Sequence, residues 1–372
     1  MVQVKKVENR GELEAFIRLP WRIYREDPAW VPPLIWERKE FLSSRNPFFK
    51  YGEACLFLAY QDGVPVGRIS VQVNRLHLAR YGPEGHFGFL EAIDDQAVFA
   101  ALLDAAEGFL RARGLKKILG PFNFSINQEC GLLVEGFETP PTFLMGHARP
   151  YYQAHLAALG YQKAKDLWAY LMTRTEETLA RVDRLIPKSS HHVKIRTISK
   201  KALGEELALI FSIFNDAWSQ NWGFIPFTRE DYLYFGKSLK YLVPEDYVRI
   251  AEVDGEAAAF IAILPDFNEL IKELDGRLFP AGIFKLLWRL KFRPPRRARV
   301  VLMGVKRVYQ RRLVGPLLIL RLIRDAKEAL LKRGVEALEL SWILEDNRRM
   351  CRLAEALGAR RYKVYRIYEK EL

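Results

Sequence analysis

At 372 residues, with 49% hydrophobic and 13% aromatic residues and a formal net charge of +13, the chain has the composition of a globular protein, not a disordered or fibrous one. That length exceeds one ordinary core and predicts two domains. No apolar run approaches the roughly 18 residues that a membrane span needs, and no charged-then-apolar leader opens the sequence, so neither a span nor secretion is expected. Cys55, Cys130 and Cys351 fall in no metal-binding spacing and read as reduced thiols of a cytoplasmic protein, with no metal expected.

VQVKKV from Val2 alternates as a short strand, and GELEAFIRLPWRIYR follows as a helix. FLAYQDGVPVGRIS (57–70) is then strand, Asp-Gly turn, strand. LLDAAEGFLRARGLKKI reads as an amphipathic helix, a glycine C-cap at Gly114 and a strand. The polar loop NFSINQECGLLVEGFETPP comes next, and ALGY places Gly160 before a last strand. The order then repeats: VKIRTI from Val193, GEELALIFSIFNDAW, RIAEVDGEAAAFIA (249–262), LIRDAKEALLKRGVEAL and ALGA. Asp62-Gly63 and Asp254-Gly255 lie 192 residues apart, Gly114 and Gly334 220, and Gly160 and Gly358 198. The second copy therefore carries an insertion of 28 residues after its hairpin, and the first carries 22 extra residues in its polar loop. Lys165 and Tyr170 fall opposite Lys363 and Tyr368. Each unit reads β-α(α)-β-β-β-α-β-α-β, an α/β domain with a mixed, mostly antiparallel sheet and helices on both faces. The expected boundaries are 1–174, a linker TEETLARVDRLIPKSSHH at 175–192, and 193–372 with a basic insertion at about 265–299.

Charge is unevenly spread. Gly276 to Arg324 holds fourteen Lys or Arg and no Asp or Glu, which points to a polyanionic partner (a nucleotide, a nucleic acid or an anionic membrane) or to a solvated basic face. Within it, KRVYQRRLVGPLLILRLIR (306–324) is a glycine turn feeding a helix, and such a turn cradles phosphate because free N–H groups and the helix dipole both point at the anion. AGIFKLLWRLKFR (281–293) alternates bulky apolar residues with Lys and Arg, a pattern that lies on anionic membranes or covers a domain interface.

Order and motif together resemble the GNAT (acyl-CoA N-acyltransferase) fold as a tandem pair. EDPAWVPPL, NPFF, HFGFLEAIDD, GPFNFSINQECGLLVEGFETPP, PYY, KAKDLWAY and ELSWILEDN, spread over nearly the whole chain, resemble a family of bacterial double-GNAT proteins. The resemblance implies acetyl-CoA or a longer acyl-CoA as co-substrate and no particular acceptor. It implies a turn of type Q/R-x-x-G-x-G/A, matched by Gln310, Arg311, Arg312, Leu313, Val314 and Gly315, with Leu313 in place of the first glycine. Pro316 follows in the first helical turn, where a missing N–H is tolerated. In the first copy Asp94, Ala97 and Phe99 occupy the motif positions, which argues against phosphate there. Met303, Gly304 and Val305, on the strand before the turn, are implied to hold the acyl arm.

The last helix of such folds follows N-x-x-A-x-x-L-Y-E-x-x-G-F. Asn347, Leu353, Glu355 and Gly358 fit, but Ala354 stands where a thiolate-protonating tyrosine belongs, so Tyr365 or Tyr368 is the expected substitute, with Tyr151 and Tyr152 as more distant ones. Glu339, Glu345 and Asp346 are candidate bases; Glu345 is preferred, because Asp346 suits a helix N-cap. Asn123, Ser125, Asn127, Gln128 and Glu129, with His147, Tyr151 and Tyr152, are assigned to substrate recognition on a loop placed by a rigid scaffold. The leading expectation is an acyl-CoA-dependent N-acyltransferase acting on a small-molecule or lipid amine, with the cofactor in the second copy. The alternatives are a Fem-like transferase using aminoacyl-tRNA, whose basic surface would serve RNA phosphates, and a non-catalytic degenerate pair that only binds.

Overall fold

The computed structural model describes residues 1–173 and 193–372; the expected linker at 175–192, with His191 and His192, lies outside the described residues. The first copy runs β1 (Gln3–Lys6), α1 (Arg10–Ile23), α2 (Ile35–Phe41), β2 (Gly52–Gln61), β3 (Val64–Asn74), α3 (Arg75–Tyr81), β4 (Glu84–Ala92), α4 (Gln96–Arg111), β5 (Lys117–Gly120), β6 (Leu132–Glu135), α5 (Tyr152–Ala158) and β7 (Gln162–Thr173). The second runs β8 (Val193–Thr197), α6 (Leu203–Trp218), α7 (Arg229–Leu239), β9 (Val248–Val253), β10 (Glu256–Pro265), α8 (Gly282–Phe292), β11 (Arg297–Val305), α9 (Val314–Lys332), β12 (Ala337–Leu344), α10 (Arg348–Ala356) and β13 (Arg360–Glu371).

Local chemistry sets these boundaries. Both Asp-Gly turns adopt positive φ at each residue (Asp62 50°, Gly63 77°; Asp254 52°, Gly255 85°), the tight hairpin turn whose twist matches that of the strands. They close β2 onto β3 and β9 onto β10, antiparallel in both cases. Asn9 opens α1 and Thr228 opens α7 through reciprocal capping boxes with Glu12 and Asp231. Helix α9 buries Leu318, Leu322 and Leu330, each such side chain contributing about 1.5–3 kcal/mol by leaving water.

Contacts divide the chain into two compact units: Met1–Trp168 with Asn268–Arg293 and Lys363–Leu372, and Ala169–Phe267 with Pro294–Tyr362. In the first, β1 to β5 pair in sequence order, antiparallel except for the parallel β4–β5 step. Its aromatic core is built from Phe16, Phe41, Phe48, Phe89 and Phe124. The second is a sheet in the order β8-β9-β10-β11-β12, antiparallel except for β11–β12.

The units do not follow the two copies. The far end of β13 pairs antiparallel with β5 (Tyr368↔Gly120) and β6 (Tyr365↔Leu133), so residues 363–372 belong to the first unit. The basic insertion joins the same unit from residue 268 to 293, where Ile271, Leu274 and Leu278 bury themselves against Val31. Cys55, Cys130 and Cys351 are free and buried. Among the described residues no helix is long and apolar enough to cross a membrane.

Candidate active site

The second unit contains a strand pair that comes apart. β11 runs parallel to β12 from Arg297↔Ala337 to Val300↔Leu340, and among the described residues the pairing ends there. β11 continues to Val305 held by β10 alone, with Gly304 opposite Phe260, while β12 continues to Leu344. Two strands that stop pairing leave backbone groups exposed to a wedge between them. Trp218, at the end of α6, and Trp342, on β12, meet edge to face with ring centroids 5.7 Å apart. The Trp218 indole donates to the Met303 carbonyl at 2.9 Å, so that acceptor is already used.

Beyond Val305 the chain makes the basic turn. The Arg307 N–H donates to Asp216 Oδ2 at 2.7 Å, which fixes the entry of the turn to α6. Gln310 faces inward: its amide donates to the Val305 carbonyl at 2.8 Å and the Ala217 carbonyl at 3.3 Å, making it a positioning residue for the turn. Gly315 is buried, and a Cβ there would lie 2.5 Å from the Tyr309 carbonyl oxygen. This glycine is required by close packing of the turn on itself. Leu313 stands 99% exposed, its side chain in solvent and not in the turn. It opens α9 with no side-chain cap; in the first turn the Gly315 N–H donates to the Arg312 carbonyl at 3.0 Å and Pro316 carries none. Arg311 and Arg312 are exposed alongside, and neither meets a carboxylate among the described residues. Two guanidinium groups and the positive end of the α9 dipole therefore concentrate positive charge at this turn.

The corresponding helix of the first copy shows the opposite arrangement. Asp95 caps α4 with its own carboxylate, accepting from Ala97 N–H at 2.8 Å and from the Gln61 amide at 2.8 Å, and those two bonds hold its pKa below the usual carboxylate range. Asp94 is bonded to His155 at 2.7 Å, and Phe99 is buried. Negative charge already sits where a phosphate would have to bind.

Below the wedge lies a buried ionic network. Arg299 and Glu339 are register partners on β11 and β12, 3.8 Å apart as an ion pair. The Arg299 Nε donates to Ser341 Oγ at 2.7 Å, and the Ser341 and Tyr362 hydroxyls both donate to Glu339, which is 1% exposed. Arg299 and Tyr362 were not singled out from sequence. The signal was there: in RARVVLMGV and ALELSWIL, polar residues recur two apart on adjacent strands, and that spacing puts them on one face.

Residues 207–359 match the Acetyltransferase (GNAT) family. Protein YghO of Escherichia coli is 47% identical over 371 residues, spanning 99% of this chain and 95% of that protein. The chain belongs to the GNAT family. A protein of Caulobacter vibrioides named bacterial ceramide synthase is 43% identical over 378 residues, covering 100% of this chain and 98% of its own length. A tandem GNAT protein from the clavulanic acid biosynthesis pathway shares the fold at TM-score 0.60 and 13% identity, covering all of this chain and 98% of its own. A GCN5-related N-acetyltransferase from Sphaerobacter thermophilus does so at 0.55 and 15%, covering all of this chain and 95% of its own. The tandem GNAT fold is therefore established, and with it an acyltransferase acting on an amino group, a class that uses acetyl-CoA or another acyl-CoA.

The other sequence-derived GNAT candidates fall into three places. Glu345 is half-buried just past the end of β12, at the open end of the wedge strand. Asn347, not Asp346, caps α10: its side chain accepts from Met350 N–H at 3.3 Å, because the amide oxygen at this position reaches the free donor of the first turn. Ala354 is buried on α10, and Tyr170 brings a phenol to this helix, its hydroxyl donating to Glu355 at 3.2 Å. Tyr365 and Tyr368, expected as substitute acids, are instead core residues of the first unit, drawn there by the pairing of β13 with β5 and β6.

The polar loop of the first copy is tied into its own unit. The Asn123 amide uses both ends, accepting from Phe89 N–H and donating to Glu129, each at 2.8 Å. Glu129 forms a two-pronged pair with Arg38 at 2.9 and 3.1 Å; burial raises its pKa, and the guanidinium more than offsets this, leaving it below the usual range. Ser125 is buried, its Oγ accepting from Asn127 N–H. His147 bonds Asp27 at 2.9 Å, and burial lowers its pKa despite that partner. Tyr152 and Tyr24 both donate to Glu91, at 2.7 and 2.6 Å, and Tyr151 donates to the Ala92 carbonyl at 2.7 Å. Burial pushes Glu91 up and both Tyr152 and Tyr24 well up. Tyr151 alone of these lines an open cleft, with Arg22, Asp94 and Arg149. Among the described residues no cluster of His, Cys, Asp or Glu is placed to hold a metal.

Proposed function

We propose that this protein transfers a long-chain acyl group from acyl-CoA to the amino group of a lipid amine, using the second unit for the cofactor. The observation that carries the cofactor assignment is the contrast between α9, uncapped and flanked by Arg311 and Arg312, and α4, capped by Asp95. The acceptor class draws its support from the relative named a ceramide synthase, since a ceramide is an N-acylated long-chain amino alcohol. In this reading the α9 N-terminus and the two arginines hold the pyrophosphate, and the wedge beside Trp218 and Trp342 takes the acyl arm. The amine nitrogen attacks the thioester carbonyl, the carbon–sulfur bond breaks, and the coenzyme A thiolate collects a proton. Glu345 accepts the proton that the ammonium must lose first.

Replacing both Arg311 and Arg312 with alanine is expected to weaken acyl-CoA binding about tenfold or more and to flatten its salt dependence, with the melting temperature unchanged because both side chains are exposed. Glu345→Gln is expected to lower kcat about a hundredfold at neutral pH. Its rate should recover as pH rises and the amine loses its proton unaided. Product identity tests the acceptor: the enzyme is incubated with acetyl-CoA or a long-chain acyl-CoA and with a sphingoid base or a short water-soluble amine, and the N-acyl product is detected by mass spectrometry. Thiol release only with the short amine would overturn the lipid assignment, and no release with any pair would overturn the whole reading.

A further inference from the structure

Helix α8 has two apolar faces, and only one is covered. Ile283 and Leu286 turn onto the buried cluster of Val31, Ile271, Leu274 and Leu278. Arg289 is held by the Leu270 carbonyl at 3.2 Å and by the carboxylate of Glu273. The opposite side carries Phe284, Leu287, Trp288 and Phe292, a spacing that forms one stripe on a helix. Phe284 is 74% exposed and Trp288 50%, and no residue of the helix is buried. Trp36 and Phe279, in the same unit, are also exposed and meet edge to face at 6.3 Å. Six bulky apolar side chains standing in water on one unit call for a partner.

The charges indicate which partner. Between Gly276 and Arg293 there are five basic residues and no acidic one. Glu273 engages Arg289 and, at 3.1 Å, Lys285. Lys291 and Arg293 meet no carboxylate among the described residues. Lys291 Nζ lies over the Phe292 ring at 5.1 Å and the Arg293 guanidinium over the Trp288 ring at 5.6 Å. Exposed aromatic rings with cations beside them match the depth profile of a lipid headgroup region, where rings sit at the acyl boundary and cations reach the phosphates. A dry protein interface would bury Lys291 within the apolar stripe, at the cost of its hydration.

We propose that this face of α8, together with Trp36 and Phe279, seats the protein in the plane of an anionic membrane. The proposal stands on the surface alone and does not depend on the acyl-acceptor reading, because vesicle binding requires neither acyl-CoA nor amine. The test is flotation of the full chain with vesicles of phosphatidylcholine alone or of phosphatidylcholine and phosphatidylglycerol in equal parts. Wild type is expected to float at least about tenfold more with the anionic vesicles and to be released by salt. Leu287→Glu with Trp288→Glu, and separately Lys291→Glu with Arg293→Glu, are expected to lose about tenfold or more of that binding. Their circular dichroism should be unchanged. Absence of wild-type flotation, or equal flotation by the variants, overturns the proposal. So does a dimer that the Leu287/Trp288 variant dissociates while vesicles bind neither protein, since the stripe would then be a contact between copies.

Discussion

Gly315→Trp is expected to abolish measurable acyl-CoA binding in calorimetry, a loss of at least about a hundredfold, or roughly 2.7 kcal/mol. The reason is local. A side chain at residue 315 begins 2.5 Å from the Tyr309 carbonyl oxygen and 3.3 Å from the Gln310 Cα, and both obstacles are backbone. The turn must therefore open, and opening it moves Arg311, Arg312 and the start of α9 together. Gly315→Ala should give a smaller loss in the same direction, because one methyl group already violates the 2.5 Å contact. The Arg311/Arg312 double variant separates charge from shape, since it leaves the turn intact. Wild-type affinity in Gly315→Trp would mean that acyl-CoA does not use this turn, whatever the enzyme's activity.

Glu339→Ala is expected to lower stability by about 3–5 kcal/mol, because it removes the carboxylate that faces the Arg299 guanidinium in a site with almost no water. For a unit of this size that is a fall in melting temperature of about 6–20 °C in scanning calorimetry. It also removes the acceptor of two hydroxyls, those of Ser341 and Tyr362. The companion variant, Glu339→Leu with Arg299→Met, should recover most of the loss, since a buried ion pair replaced by apolar groups of similar size is near neutral. The network joins β11 to β12 at the last parallel pairs before they part, so we read it as the latch that sets where the wedge begins. A Glu339→Ala protein melting within about 2 °C of wild type would refute that role.

Much of the fold was legible because local signals carried it. Asp62-Gly63 and Asp254-Gly255 named their turns by residue type alone, and their repetition gave the tandem architecture. The turn from Gln310 to Gly315 was found by pattern, and Leu313, in place of its first glycine, points its side chain to solvent. What sequence could not supply was long-range pairing. The alternation in RYKVYRIYEKE suits a strand beside either sheet, so nothing local reveals that Tyr365 and Tyr368 complete the first unit's core. The orientation of Gln310 was hidden for a related reason: its amide donates to two carbonyls whose positions depend on how α6 meets β11. The polar loop looked available because its residues are polar, yet Arg38, 91 residues away from Glu129, takes that charge.

The placement of residues 363–372 bears on how the chain is made. Within the first unit, Lys363 donates to the carbonyls of Gly136 and Thr139, and Lys370 pairs with Glu107 at 2.8 Å. During synthesis the first 168 residues emerge early, but the strand that covers β5 emerges some 190 residues later. The first unit must therefore wait, with an unpaired edge at β5 and an exposed core around Leu133, until the whole second copy has left the ribosome.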